Sequence, residues 1–312
     1  MSTDRKPLYR YWQPRYWPWW IGLGLLRALC LLPDRIALGA GAGLGRFAHR
    51  IAGSRRAVVR RNIELCFPSL DADERDALAL RHFEALGMSV VEMGWGRWAS
   101  DRRLEKITEL RGIEHLKAAT DAGKGVILLS AHFTTLEISG RMLARNSPPF
   151  DAVYRRNRSD FITEIQRTGR EVSADRTIEK RDIKQMVRSL KAGRPVWYAP
   201  DQSYDRKGAA VIEFFGVPSM HTTATSTLAR LGKAVVLPYF PRRLADGRYV
   251  NEIFPPLDDF PSDDPVRDTK RYVAILEAHI RKCPEQYFWI HKKFKNLPDG
   301  YPDYYADLEA LK

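Results

Sequence analysis

Apolar residues along the chain form short continuous runs that alternate with stretches of helical spacing. The all-apolar run at residues 125–129 suits a strand covered on both faces, and further strands are predicted at residues 151–154, 195–199, 234–240 and 249–254. Apolar residues with helical spacing mark residues 69–98, 181–191 and 222–231, and a further helix starts at Asp264. Strands that alternate with helices predict an α/β fold with a mostly parallel central sheet flanked by helices.

Capping residues predict where two of the helices begin. Ser69 is expected to cap helix 69–98, because acidic residues follow in its first turn. Thr134 and Glu137, three positions apart, match a capping box that would begin a helix at Thr135. His132 would then lie in the turn between strand 125–129 and that helix.

The most apolar stretch is residues 16–32, whose length is close to the minimum for a membrane span. Trp17, Trp19 and Trp20 stand at its start, and indole rings favour the membrane interface. Basic residues precede the stretch, so the positive-inside rule directs the N-terminus to the cytoplasm. They are Arg5, Lys6, Arg10 and Arg15.

Arg27 interrupts this apolar stretch. A charge deep in a span costs about 2.5–3.5 kcal/mol on insertion scales, and further arginines follow the stretch. An interfacial or partly inserted helix therefore fits at least as well as a crossing helix, and a buried core helix is a third reading. Composition changes near Gly53. We therefore expect a membrane-anchoring or interfacial segment at residues 1–53 and an α/β domain at residues 54–312.

Charge and cysteine content narrow the class of protein. The 312 residues carry a net charge of +13, which favours acidic partners such as phospholipid, phosphorylated substrates or acidic proteins. A nucleic-acid partner is not expected, because no recognition motif is present and aromatic residues do not interleave with the charge. Cys30, Cys66 and Cys283 form no metal-ligand spacing and are expected to be reduced thiols in a cytosol-facing protein.

Three polar residues follow predicted strands, where the sites of parallel sheets form. A histidine steered by a carboxylate is a general base for a hydroxyl, and His132 with Glu137 is such a pair if the chain bends between them. Arg155 follows strand 151–154 and suits a phosphate or a sugar carboxylate. Asp201 follows strand 195–199 and is expected to hold Arg155 or a substrate head group. The simpler reading of Arg155 is a surface arginine that pairs with a neighbour such as Asp201. The simpler reading of Asp201 is a turn residue after Pro200.

These residues resemble a known family. His132 and Glu137 match the HX4(D/E) motif of glycerolipid and lipid A acyltransferases, and blocks spread over nearly the whole chain resemble the bacterial late acyltransferases of lipid A biosynthesis, closest to the lauroyl-type branch. Arg156 and Gln202 depart from that branch, which leaves the acyl chain and the acceptor position open. The blocks are residues 14–17, 61–68, 86–89, 154–157, 196–202, 222–225 and 284–295.

The resemblance implies an enzyme that transfers a fatty acyl chain from acyl carrier protein to a hydroxyl of a 3-hydroxyacyl chain on a Kdo-bearing lipid A precursor. His132 would be the general base and Glu137 would orient its ring, with backbone N–H groups after His132 stabilising the oxyanion. No metal or other cofactor is expected. The location implied is the cytoplasmic face of the bacterial inner membrane. A related acyltransferase for another glycolipid or a lysophospholipid is the alternative.

Two basic segments are candidates for contacts with an acidic carrier protein or with anionic lipid. A set on and before helix 181–191 could form a face for the acidic carrier protein or a solvated helix surface: Arg176, Lys180, Arg181, Lys184, Arg188 and Lys191. Lys292, Lys293 and Lys295 could meet anionic lipid, with Phe294 packing inward.

Overall fold

The computed structural model describes residues 7–311, with side chains through residue 308. The helices are α1 (Trp17–Leu29), α2 (Asp34–Ile51), α3 (Gly53–Cys66), α4 (Ala72–Trp98), α5 (Asp101–Ile107), α6 (Ile113–Asp121), α7 (Leu136–Asn146), α8 (Asp160–Arg170), α9 (Ile183–Lys191), α10 (Ala224–Gly232) and α11 (Pro265–Lys282). The strands are β1 (Thr108–Arg111), β2 (Val126–Leu129), β3 (Asp151–Tyr154), β4 (Arg176–Glu179), β5 (Pro195–Tyr198), β6 (Ala209–Phe214), β7 (Val217–Thr222), β8 (Val235–Arg243) and β9 (Tyr249–Ile253).

Seven strands form one sheet in the order β1-β9-β8-β2-β5-β3-β4. Neighbouring strands are parallel except for the antiparallel pair β8 and β9. Every residue of β2 is at most 1% exposed, as a strand covered on both faces requires. The prediction of a mostly parallel central sheet flanked by helices is confirmed. Strands β6 and β7 form a separate antiparallel hairpin.

Several elements were not predicted from the sequence. They include α8, the β6–β7 hairpin and the edge strand β4, in which only Ile178 is buried. A four-residue strand with one buried side chain leaves almost no apolar pattern to read.

Both predicted capping assignments are wrong. Helix α4 begins at Ala72 and its cap is Asp71 rather than Ser69, because Asp71 and Glu74 form reciprocal hydrogen bonds of 2.8 and 2.9 Å. Helix α7 begins at Leu136 with Thr135 at its cap position and no side-chain capping bond. The Thr134–Glu137 capping box does not form, because the Glu137 carboxylate is bound by an arginine instead.

The N-terminal apolar stretch forms the thirteen-residue helix α1. Within residues 7–311, we find no helix that combines the length and the apolarity needed to span a bilayer. A membrane-associated role for α1 therefore stays a prediction, as does the division into residues 1–53 and 54–312. Arg5 and Lys6 lie outside the described residues. The Arg27 guanidinium lies 5.7 Å from the ring centroid of Trp98, so this charge has a protein partner.

Helix α2 packs on α4 through glycines. A Cβ atom on Gly45 would lie 2.0 Å from the Phe83 carbonyl oxygen, and one on Gly87 would lie 2.0 Å from the Gly41 carbonyl oxygen. Only glycine permits so close an approach of two helix backbones. Apart from Leu38, small residues occupy the buried face of α2. Four of its large apolar side chains face outward: Ile36, Leu44, Phe47 and Ile51.

Candidate active site

The ends of two neighbouring strands bring the first two polar residues together. Strands β2 and β5 are parallel, and Leu129 lies opposite Tyr198. His132 lies three residues after Leu129, and Asp201 lies three residues after Tyr198. The His132 Nδ1 atom lies 2.6 Å from Asp201 Oδ1. The strand register therefore builds this contact, although the two residues are far apart in sequence.

Asp201 is a buried carboxylate, 1% exposed as a residue. Burial by itself would raise the pKa of Asp201, but the adjacent His132 and, less strongly, Lys293 outweigh burial and lower that pKa to about 2. Asp201 is therefore ionised at neutral pH and accepts the hydrogen bond, so His132 donates from Nδ1. The Nε2 atom of the neutral ring is then unprotonated and can accept a proton.

The C-terminal segment crosses over this strand edge and encloses Asp201. The Phe288 N–H donates to the His132 carbonyl at 3.0 Å, and the Thr134 N–H donates to the Gln286 carbonyl at 2.8 Å. Between them, the Tyr287 hydroxyl donates to Asp201 Oδ2 at 3.1 Å. Burial raises the pKa of Tyr287 well above its ordinary value, so this hydroxyl stays protonated and keeps donating. Both carboxylate oxygens of Asp201 are thus bound.

Lys293 is the third residue that holds Asp201. It is 4% exposed, and its Nζ atom donates to the Asp201 backbone carbonyl at 2.7 Å and lies 4.7 Å from the ring centroid of Phe214. Burial lowers the pKa of Lys293 to about 8, although Asp201 acts in the opposite direction. The prediction that Lys293 meets anionic lipid is wrong, because its ammonium group lies inside the protein. The inward packing of Phe294, 1% exposed, is confirmed.

His132 opens into a small cleft next to this network. Its side chain is 32% exposed, whereas that of Asp201 is 2% exposed. One reactive nitrogen thus faces solvent while its charged partner is shielded, an arrangement that suits a general base. The other lining residues are Gln202, Ser203, Tyr287, Phe288, Trp289, His291 and Lys293.

Glu137 lies elsewhere. Its carboxylate accepts hydrogen bonds from Arg170 at 2.7 and 3.2 Å, and Arg170 also donates to the Val153 carbonyl at 3.1 Å. Within the described part of the chain, no hydrogen bond joins Glu137 to His132. The structure therefore does not bring together the pair that the sequence suggested, and Asp201 occupies the position at Nδ1.

Glu137 instead borders a second, mostly apolar cleft between α1, α4 and α8. An apolar lining of this kind suits the apolar part of a ligand. Its other lining residues are Leu23, Leu26, Met93, Gly94, Gly96, Arg97, Trp98, Ile165, Gln166 and Gly169.

Arg155 follows β3 at the same edge of the sheet and is exposed. It forms no ion pair with Asp201, whose carboxylate is engaged by His132 and Tyr287. Arg155 is thus a surface arginine, but its suggested pairing with Asp201 is wrong. Whether Arg155 or Asp201 contacts substrate stays a prediction.

The sequence interpretation missed three residues of this region. Tyr287 and Lys293 lie in the C-terminal block on which the resemblance rests, but nothing in their spacing signals a contact with Asp201. Arg170 lies on α8, which the apolar pattern did not reveal. A glutamate next to a histidine motif gave no indication of which arginine would bind it.

Comparison with known proteins gives the family. The model of the family described as bacterial lipid A biosynthesis acyltransferase matches residues 4–296. The chain is 36% identical to the lipid A biosynthesis lauroyltransferase of Escherichia coli (strain K12), over 94% of this chain and 96% of that protein. It is also 36% identical to the palmitoleoyltransferase of the same organism, over 92% of this chain and 94% of that protein.

A myristoyltransferase of the same organism is 26% identical over 92% of this chain. The relatives are thus named for different acyl chains, and the two at 36% do not separate lauroyl from palmitoleoyl. The chain belongs to the bacterial lipid A biosynthesis acyltransferases, and the protein is an acyltransferase.

Proposed function

We propose that this family member transfers a fatty acyl chain from acyl carrier protein to a hydroxyl of a 3-hydroxyacyl chain on a Kdo-bearing lipid A precursor. The observation that carries the proposal is the exposed imidazole of His132 held through Nδ1 by a buried, ionised Asp201. Family membership supports the lipid A acceptor. No step of the proposal passes through a metal or another cofactor.

His132 acts as the general base. Its Nε2 atom takes the proton of the acceptor hydroxyl while the hydroxyl oxygen attacks the thioester carbonyl carbon. The tetrahedral intermediate then collapses, the C–S bond breaks, and the leaving thiolate takes the proton from the imidazolium ring. Asp201 stabilises the imidazolium because its negative charge lies 2.6 Å from Nδ1.

The sequence predicts that backbone N–H groups after His132 bind the oxyanion of the tetrahedral intermediate. Three of those groups already have partners, since the Phe133 N–H donates to Ala131, the Thr134 N–H donates to Gln286 and the Leu136 N–H donates to Phe133. In our proposal the remaining N–H groups at the start of α7 serve the oxyanion, where the helix N-terminus favours negative charge.

The acyl chain occupies the second cleft, and Glu137 acts from this side. Its ion pair with Arg170 ties α7 to α8 and fixes the cleft wall. Met93 lines the cleft. Met93→Trp is expected to shift selectivity toward shorter acyl donors, because the larger side chain shortens the cleft. Val90→Trp, on the same helix but outside that lining, is the control. Equal chain preference in the two variants and the wild type would exclude the cleft as the acyl site.

The protein works at the cytoplasmic face of the inner membrane. The outward apolar side chains of α1 and α2 support this location, since an apolar face of such extent on a monomer marks an interaction surface. Nearby basic residues suit anionic lipid headgroups; Arg15, Arg35 and Arg50 are examples.

The test is a mass-spectrometric assay with Kdo₂-lipid IV_A and a panel of acyl carrier protein thioesters. Wild-type protein is expected to add one acyl group, and His132→Ala to add none. Product with a glycolipid or lysophospholipid acceptor, but none with the lipid A precursor, would replace the proposal by the alternative function. Equal turnover by His132→Ala would remove the proposed base.

A further inference from the structure

Four cations lie together at the edge of the sheet that carries His132. Strands β3 and β4 are parallel with Tyr154 opposite Glu179, and the Lys180 N–H donates to the Tyr154 carbonyl at 2.8 Å. Arg155 and Lys180 therefore leave adjacent strands side by side. Arg181 follows directly in sequence, and Arg206, in the loop after β5, lies close enough to lower the pKa of Lys180. We call Arg155, Lys180, Arg181 and Arg206 the β3–β4 cation cluster.

The members of the cluster repel one another. Burial lowers the pKa of Lys180, and the neighbours that lower it further are Arg155, Arg181 and Arg206. Like charges held at close range destabilise the folded protein unless an anion binds between them.

The arginine next to the cluster is neutralised by a partner on the protein surface. Arg156 pairs with Asp160 at 2.8 Å. Within residues 7–308, by contrast, none of the four cluster cations forms an ion pair with a carboxylate. The positive charge of the cluster is thus available to a ligand, whereas that of the adjacent Arg156 is neutralised by Asp160.

The distance from His132 limits what can bind there. The strand order β2-β5-β3-β4 separates the strand before His132 from those before Arg155 and Lys180 by two and three strand spacings. With strands about 4.8 Å apart, the cluster lies roughly 10–15 Å from the base. A ligand that reaches both must carry its anionic group at about this distance from its reacting hydroxyl.

We propose that the β3–β4 cation cluster binds a phosphate group of the acceptor lipid and thereby sets which hydroxyl reaches His132. This inference rests on the proposed function. Guanidinium and ammonium groups that converge from three segments suit a compact dianion, because several forked donors can share its oxygens. A protein partner would present carboxylates spread over a wider surface, and a cluster gathered beside the reacting edge fits such a surface less well.

The experiment compares Lys180→Met/Arg206→Gln with the matched variant Lys117→Met/Lys124→Met. Both double variants remove two exposed cations, and Lys117 and Lys124 precede β2 on the opposite side of the sheet. Each protein is tested with an intact phosphorylated lipid A precursor and with the same lipid after phosphatase treatment. One readout is steady-state kinetics, and the other is equilibrium binding to micelles that contain the lipid without any acyl donor.

We expect the cluster variant to bind the phosphorylated lipid roughly tenfold more weakly, with kcat nearly unchanged, because charge-assisted hydrogen bonds are lost. The matched variant should behave as wild type, and the phosphatase-treated lipid should bind all three proteins alike. Equal weakening for both lipids would overturn the proposal. A KM that rises for the carrier-protein thioester but not for a pantetheine thioester, with lipid binding intact, would assign the cluster to carrier docking instead.

The binding readout separates this inference from the proposed function. If the wild type makes no product with any acceptor but binds phosphorylated lipid more tightly than the cluster variant does, the phosphate site stands and the proposed reaction fails. If product forms normally and binding does not depend on phosphate, the reaction stands and the cluster assignment fails.

Discussion

The carboxyl edge of the sheet and the helices α1 and α2 place their side chains in opposite ways. At the sheet edge an aspartate and a lysine are buried, and each has hydrogen-bond partners. On α1 and α2, leucine, tryptophan and phenylalanine side chains are exposed, with Leu25 at 68% and Phe47 at 56%. Both arrangements cost free energy in an isolated soluble fold. The buried polar residues of the sheet edge are what a catalytic site requires. The exposed apolar side chains of α1 and α2 are what an interaction surface requires.

The largest expected effect tests the chemistry of the sheet edge. His132→Ala should lower kcat about a thousandfold, within the range that general base catalysis contributes, while circular dichroism and thermal unfolding stay close to wild type. The control is His115→Ala, a histidine on α6. If His132→Ala retained near-wild-type turnover, the sheet edge would lose its assigned role.

The next effect decides which carboxylate serves the imidazole. Asp201→Asn should lower kcat about a hundredfold, because Nδ1 loses its charged acceptor. Glu137→Gln should also impair transfer, through Arg170 and the second cleft. Because the two residues contact different groups, the losses in the double variant should multiply. A double variant no slower than the worse single variant would show that both carboxylates act on His132, as the sequence suggested.

A smaller effect tests the apolar side of the comparison. Leu25→Asp/Phe47→Asp should reduce binding to vesicles of anionic phospholipid about tenfold, because two apolar contacts with the bilayer become charged. Leu231→Asp, an exposed leucine on α10, is the control in vesicle flotation. Unchanged binding by the double variant would show that α1 and α2 do not form the membrane-facing surface.

The smallest effect concerns stability at the sheet edge. The pKa of Lys293 falls from 10.5 to about 8 in the folded protein, so the unfolded chain binds more protons between these pH values. Stability of wild type relative to Lys293→Met should therefore increase as pH rises through this window, by at most about 1.4 kcal/mol per pH unit. Urea unfolding at pH 7.5, 8.5 and 9.5 measures the trend. A difference that does not change with pH would mean that burial does not lower the pKa of Lys293.

The order of strands and helices could be predicted where apolar runs were long enough. The strand β2 and the helices α4 and α11 carry continuous or periodic apolar residues, and their positions followed from the pattern. The strand β4 and the helix α8 could not be predicted in the same way, because few of their residues are buried. The capping box predicted from Thr134 and Glu137 does not form, because the Glu137 carboxylate binds Arg170 from another helix.

By itself the sequence determined the fold class, the family resemblance and the histidine at the end of a buried strand, because these depend on residues close together in the chain. The tertiary structure alone decided that Asp201 meets His132, that Tyr287 and Lys293 hold Asp201, and that Glu137 binds Arg170. These contacts join segments brought side by side by strand register and by the C-terminal crossing. Hydrogen bonds between such segments depend on atomic distances, and distances across a sheet leave no periodic mark in the sequence.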